Sequence, residues 1–295
     1  MDTFCMPVRT RGYEADPSRA IPLAQFMAYF GMLRWEVLLA PRFGLVDYLR
    51  NGHFFVIREQ QIELLRRIGI GVDLDIHLWW EFVGRSSVRI QQQAVRRSDS
   101  AVVAQGRVTC AWLNPERRLG RIPEPHKSAA RAVSGAGRKL VTRLRPHAND
   151  TLGTHLGGTN LSYFDPDPVM HPPGGLELPL LDRAPPQSWA TGLRIRPSDV
   201  DIFGHVNATH YVNLLDDVRQ QARREGAYGD DAQWSAGRST RVAIRYDREV
   251  VANTVVTVAT WPVVATPGAA AFSIELPDGG PPACVGTVVG EEALG

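Results

Sequence analysis

Residues 21–39, IPLAQFMAYFGMLRWEVLL, set apolar side chains at helical spacing, among them Leu23, Met27, Leu33 and Val37. Gln25, Arg34 and Glu36 are its main polar relief. A helix that is apolar nearly all round has no side to give to water and must be covered on most of its faces. Four runs follow, over residues 54–65, 74–82, 87–95 and 102–113, rich in Val, Ile and Trp alternating with polar residues and parted by Gly or charged turns. They read as an antiparallel meander. A helix that needs cover, then a sheet able to supply it, is the pattern of an α+β domain.

Near Trp189 the pattern restarts. Residues 193–197 read as a strand, 199–207 as a polar turn and 208–224 as a helix. Residues 239–246, 250–262, 269–276 and 283–289 then read as strands. Residue identity between the halves is weak, yet the order of elements repeats, which predicts two copies of one fold. Between them, residues 123–186 hold much of the Pro and Gly (PEPH, HPPGG, RAPP) with little periodicity, and only 137–145 suggest a short helix. The expected layout is a first domain over 1–124, a connector over 125–187 and a second domain over 188–295. A length of 295 residues suits two domains.

With 44% hydrophobic and 22% charged residues, collagen, coiled coil and wholesale disorder are excluded. The net charge of +2 argues against a simple nucleic-acid binder, but it hides an asymmetry. Residues 1–150 carry 23 Lys and Arg against 14 Asp and Glu, and residues 151–295 carry 10 against 17. Lys127 and Lys139 are the only lysines. Cys5, Cys110 and Cys284 are too scattered for a disulfide framework or a zinc site, so they are expected as buried thiols. The first residues lack the apolar core of a signal peptide, and the uncharged stretch 250–274 is broken by Asn253, Pro262, Pro267 and Gly268, so it reads as a hairpin rather than a membrane span. The expected address is the cytoplasm, with no membrane or nucleic-acid partner. The Gly pairs of THLGGTN and HPPGGLE lack the strand, helix and Lys-Ser/Thr of a phosphate loop, and no G-x-S-x-G elbow occurs.

One segment gathers reactive side chains. Asp199-Val-Asp201-Ile-Phe203-Gly204-His205-Val206-Asn207 places two acids, an imidazole and an amide just ahead of a helix that carries Tyr211 and Asp217. A carboxylate and an imidazole four residues apart can converge there, and a helix start offers backbone N–H groups to a developing oxyanion. Carboxylate, imidazole and oxyanion donors are the parts for acyl transfer to water. Asp199 and Asp201 would equally serve as helix caps. His205 and His210, five apart, lie off one helical face and do not make a metal pair.

The turn D-x-D-x-(apolar)-G-H-V-N with a helical Tyr resembles the active-site turn of hotdog-fold thioesterases. The whole layout is similar to that of acyl-acyl-carrier-protein thioesterases: FMAYFGMLRWEVLL, FFVIREQQIEL and RVTCAWLNPERRLGRIPE in the first half, closing on Arg117-Arg118-Leu119-Gly120-Arg121-Ile122-Pro123, and Ile244-Arg245-Tyr246-Asp247-Arg248-Glu249 in the second. The resemblance covers about residues 8–125 and 190–260. It departs at Phe203, where plant members have Asn; bacterial single-hotdog thioesterases place an apolar residue there, followed by Gly.

The resemblance implies a double hotdog, two long helices each wrapped by a curved antiparallel sheet, with one active site at the interface between the halves. The reaction implied is thioester hydrolysis, releasing a carboxylic acid from an acyl carrier protein or coenzyme A, without metal or other cofactor. Asp201 would be general base or nucleophile. His205 would position water or carbonyl, and Glu249 would assist. Gly204, Val206 and Asn207 would supply oxyanion and positioning groups, and Phe203 and Tyr211 would meet the substrate. Asp16 precedes the first helix without a nearby His, so that half is expected to be catalytically silent. Its Phe26, Met27, Phe30 and Trp35 would wall the acyl tunnel, or simply form core. Arg66-Arg67, Arg96-Arg97 and Arg117-Arg118 would dock an acidic carrier. The chain is expected as a monomer or homodimer. Two other readings stay open. A hotdog hydratase or dehydratase is one, although its D-x-N-P-x-H turn spaces Asp and His by five. A non-catalytic acyl-binding protein is the other. The bias to Arg, Ala and Gly points to a GC-rich genome, where a polyketide is as natural an acyl chain as a fatty acid.

Overall fold

A computed structural model describes residues 3–40, 45–128, 141–143, 184–186, 188–228, 238–264, 266 and 268–290. The chain forms two compact units, one of Met1–Ile57 with Leu64–Gly174 and one of Arg58–Glu63 with Gly175–Gly295. The expected connector lies largely outside the described residues.

In the first unit the strands β1 (Thr3–Arg9), β3 (Asp73–Val83), β4 (Ser87–Arg96) and β5 (Val102–Leu113) and the ends of β2 (Phe54–Leu64) accompany helices α1 (Leu23–Leu39) and α2 (Leu45–Arg50). Along the sheet β1, β3, β4 and β5 lie in that order, each pair antiparallel. Alternation decides which face meets the helix. Leu74, Ile76, Leu78 and Trp80 of β3 are buried, while Asp73, Asp75, His77 and Trp79 take the other face. Helix α1 packs on β1, β3 and β4 and buries Phe26, Met27, Phe30 and Leu33 almost completely. Its covering is not total: Met32, Trp35 and Leu39 remain exposed. Residues 141–143, within the expected short helix, are instead a strand, β6 (Val141–Arg143), parallel to β1. Hydrogen bonds to a sheet edge outweigh the weak helical propensity of so short a run.

The second unit repeats the order with β7 (Trp189–Arg194), α3 (Ala208–Arg224), β8 (Ser239–Tyr246), β9 (Val255–Pro262), β10 (Ala269–Glu275) and β11 (Cys284–Gly290). Its strands run β7, β9, β10, β11, β8, and Glu59–Glu63 of β2 pair with Arg241–Arg245 of β8. Helix α3 is amphipathic, unlike α1, and packs on β7, β8 and β9 through Tyr211, Val212, Leu215 and Val218. Gly286 stands across from Phe272, and a Cβ on it would run into the Ala243 carbonyl and the Phe272 ring. Two expected strands shift. The first ends at Arg194 because Pro197 begins a 3-10 turn, Pro197–Asp199. The strand expected from Val250 starts at Val255, after a turn in which Asn253 has φ +64°. No described helix is long and apolar enough to cross a membrane.

Candidate active site

The segment from Arg196 to Asn207 is a closed frame of short bonds. Asp199 accepts the Arg196 N–H on Oδ2 at 2.7 Å, and its carbonyl accepts the Asn207 N–H at 2.9 Å, so one residue ties both ends of the turn. Inside, the Asp201 N–H donates to the His205 carbonyl at 2.8 Å, and the Gly204 N–H returns to the Asp201 carbonyl at 3.0 Å. Gly204 sits at φ +79°, in the left-handed region that glycine enters without cost. The Val206 N–H bonds the Val250 carbonyl at 2.8 Å, which moors the turn to the chain beyond β8. Asn207 caps α3, its Oδ1 accepting the Thr209 N–H at 3.0 Å. Neither Asp199 nor Asp201 is the cap.

Two consequences follow for the oxyanion. The N–H groups of Gly204, Val206 and Asn207 are all taken by protein carbonyls, so the expected donors at Gly204 and Val206 are not available for it. The Ala208 N–H, first of helix α3, has no acceptor among the described residues. Sequence alone shows that N–H groups cluster at a helix start, but not which of them a turn consumes.

The turn presents Asp201 and His205, and Glu249 reaches His205 from the chain after β8. Asp201 is half-buried; its Oδ1 accepts the Phe203 N–H at 2.9 Å, and Oδ2 has no donor among the described residues. His205 places Nε2 3.2 Å from Oε2 of Glu249, with the ring 20% and the carboxylate 43% exposed. Asp247 is held by Arg58 and Arg245 at 2.9 and 2.8 Å, and Arg248 by Asp278, while the exposed Glu249 meets the imidazole. Tyr211 is buried edge-on against Tyr246, with centroids 5.1 Å apart. Burial first, and then the neighbouring acidic groups Cys284 and Asp201, push its hydroxyl far above its ordinary range, so it stays protonated. Phe203 is half-buried beside Ile202, which is 86% exposed at the tip of the turn. Asp217 faces solvent; the buried acid of α3 is Asp216, which meets Arg219 at 3.3 Å and the Ser239 N–H at 3.1 Å and ties the helix to β8.

The first unit contains a matching turn, without the two bonds that Asn207 makes, because Pro22 stands in its place. Arg11 N–H meets Glu14 Oε2 at 2.7 Å, Asp16 N–H meets the Ala20 carbonyl at 2.9 Å, and Arg19 N–H meets the Asp16 carbonyl at 2.8 Å. Ser18 N–H meets Asp16 Oδ1 at 2.8 Å, and Ile21 N–H meets the Ile68 carbonyl at 2.9 Å. Arg19, at φ +66°, stands in the place of Gly204. Asp16 thus corresponds to Asp201, Ala20 to His205, Pro22 to Asn207 and Arg67 to Glu249. The Asp16 carboxylate is also more heavily bound, because Ser18 Oγ and the Ala20 N–H, the latter at 3.3 Å, donate to it as well. The frame is common to both units, and the imidazole with its carboxylate partner occurs in the second.

The arginine pairs expected to dock a carrier divide on inspection. Arg96 and Arg97 are neutralised by Asp99 and Asp75 at 2.7 and 2.6 Å, and Arg67 bonds Ser18 Oγ at 2.7 Å. Arg117 lies over the Phe54 ring, and Arg118 has no acidic partner among the described residues. Cys5, Asp75 and His77 bring S, O and N atoms within 4.8 Å of one another, which their sequence spacing concealed. Asp75 of this group is already paired with the Arg97 guanidinium at 2.6 Å.

No protein-family model matches the sequence, and no curated protein matches it either. Solved structures do match. A 12:0-ACP thioesterase from Umbellularia californica superposes with TM-score 0.67 at 16% identity, over 98% of this chain and 94% of that one. An acyl-ACP thioesterase from Bacteroides thetaiotaomicron gives 0.66 at 14%, over 98% of each chain. A Lactobacillus plantarum protein described as an oleoyl thioesterase gives 0.67 at 16%, over 97% and 95%. The fold is therefore the double hotdog, with a long helix in each unit packed on that unit's antiparallel strands.

Proposed function

We propose that the protein hydrolyses acyl thioesters, releasing a carboxylic acid from an acyl carrier protein or from coenzyme A. The observation that carries this reading is the pairing of His205, on the turn that presents Asp201, with Glu249, a pair absent from the first unit's matching turn. The structures of like fold act on acyl carrier thioesters by their own descriptions, which supports the same class here.

Asp201 is the group at which bond making starts. Its Oδ2 takes a proton from water as the water oxygen adds to the thioester carbonyl, or adds to that carbon itself and leaves a mixed anhydride for water to open. Either way a C–O bond replaces the C–S bond and the departing sulfur leaves as a thiol. The Ala208 N–H receives the negative oxygen at the positive end of α3. Glu249 orients the His205 ring, which holds the water or the carbonyl in place. The acyl chain would be fatty or polyketide and would lie along Phe203 and Tyr211. The proposed setting is the cytoplasm.

A panel of acyl-carrier-protein and acyl-CoA thioesters, read by mass spectrometry, tests this, with Asp201→Asn as control. Free acid formed by the wild type and lost in a folded Asp201→Asn protein is expected. Tight acyl binding without turnover would select a binding protein, and addition of water to an enoyl thioester would select a hydratase.

A further inference from the structure

Arg194 and Arg196 stand at the root of the catalytic turn. They are two residues apart on extended backbone, so they share a face, and Ile195 between them is buried. Both are exposed, and neither has an acidic partner among the described residues. The nearest carboxylate in sequence, Asp199, is engaged by the Arg196 peptide N–H and lies 3.6 Å from His210 Nδ1. Arg58, Arg245 and Arg248 of the same unit are spent on Asp247 and Asp278.

The first unit supplies an internal control. Arg9 and Arg11 occupy the corresponding steps of β1. Arg9 pairs across the strand with Asp73 and bonds it at 3.2 Å, while Arg11 bonds the Tyr13 hydroxyl at 2.7 Å. In the second unit the position across from Arg194 is Val255, 48% exposed, and Ser198 stands where Tyr13 would be. The partners are gone in the unit that carries His205 and Glu249, and the two guanidiniums remain.

Paired guanidiniums with N–H forks to offer, edged by apolar surface, suit a phosphate ester on an organic arm. Thioesters of both proposed classes have one, because the pantetheine arm ends in a phosphate in the carrier-bound form and in coenzyme A alike. We infer that Arg194 and Arg196 bind the phosphate of the phosphopantetheine arm and so select thioesters that bear it. This rests on the thioesterase reading of the neighbouring turn.

The test is the Arg194→Ala/Arg196→Ala protein, checked for an unchanged melting temperature and assayed with one acyl group on carrier protein, coenzyme A and N-acetylcysteamine. The last carries no phosphate. The preference for the phosphate-bearing substrates over N-acetylcysteamine, as a ratio of kcat/KM, should fall about 10- to 100-fold, through KM. Arg→Lys at both sites should retain part of it. A fall with coenzyme A alone would assign the phosphate of that cofactor as the ligand, and a fall with both would assign the shared arm. A ratio unchanged from the wild type overturns the inference. Should the wild type hydrolyse none of the three, the thioesterase reading fails, and calorimetry with coenzyme A decides the site by itself: weakened binding in the double variant supports it, and equal binding overturns it.

Discussion

The His205 imidazole lies 3.2 Å from the Glu249 carboxylate although one side chain belongs to the turn before α3 and the other to the chain after β8. The bond from Val206 N–H to the Val250 carbonyl, 2.8 Å long, holds the two segments in register one residue further along each. Backbone pairing therefore sets the side-chain pair.

If Glu249 orients the ring, Glu249→Gln keeps a hydrogen-bonding group of the same shape and loses the charge. We expect kcat to fall about 10- to 100-fold, the scale of a general acid–base contribution, with little change in melting temperature. His205→Ala should fall at least as far, and the double variant no further than the His205 single. Steady-state kinetics on the four proteins checks this; additive losses would show that the two residues act separately.

The paired turns separate frame from chemistry. Asp16→Asn should lower the melting temperature, since the carboxylate there gathers donors from Ser18 and Ala20, and should leave kcat within about twofold. Asp201→Asn should do the reverse. Equal loss of turnover in both would mean that the first unit takes part in the reaction.

Asn207→Ala removes the side-chain cap of α3 and is expected to cost about 1 kcal/mol in urea unfolding. Because Ala208 carries the proposed oxyanion donor, fraying of this first turn should also lower kcat. Asn207→Asp or Asn207→Ser, which still cap, should restore the stability.

Gly286→Ala should destabilise by about 1–3 kcal/mol, because the new methyl meets the Ala243 carbonyl and the Phe272 ring. Coupling it with Phe272→Leu should recover part of the loss, readable as a change in the urea midpoint.

Burial holds the His77 imidazole below its ordinary value of 6.5, with Asp75 opposing the shift. Between the folded value and 6.5 the unfolded chain binds more protons than the folded one. The contribution of His77 to stability is therefore complete above about pH 6.5 and is lost as the pH falls through the folded value. Thermal melts at pH 7 and pH 5.5 should differ less in His77→Gln than in the wild type.

Much of this was legible in the residues because periodicity is a local property. The helix over 208–224 and the strands over 239–246 and 102–113 stand where the pattern of apolar residues places them. Boundaries moved where a backbone constraint outranked the pattern, as at Pro197 and at the turn through Asn253. Strand β1 and the bridge of β6 to it owe their pairing to partners far along the chain, and nothing within so short a run announces them.

What the sequence determined by itself was the kind of fold and the turn proposed to bear the chemistry. Two helices each followed by a meander admit few solutions once apolar faces must be covered, and Asp201 and His205 are close because they are four residues apart. The tertiary structure alone decided which groups are free to act. It spent the amides of Gly204 and Val206 on carbonyls and left that of Ala208, gave Arg96 and Arg97 to acids and left Arg194 and Arg196, and brought Glu249 to His205. A charge or a donor is available only when no nearer partner satisfies it, and partners are set by pairing between strands distant in sequence.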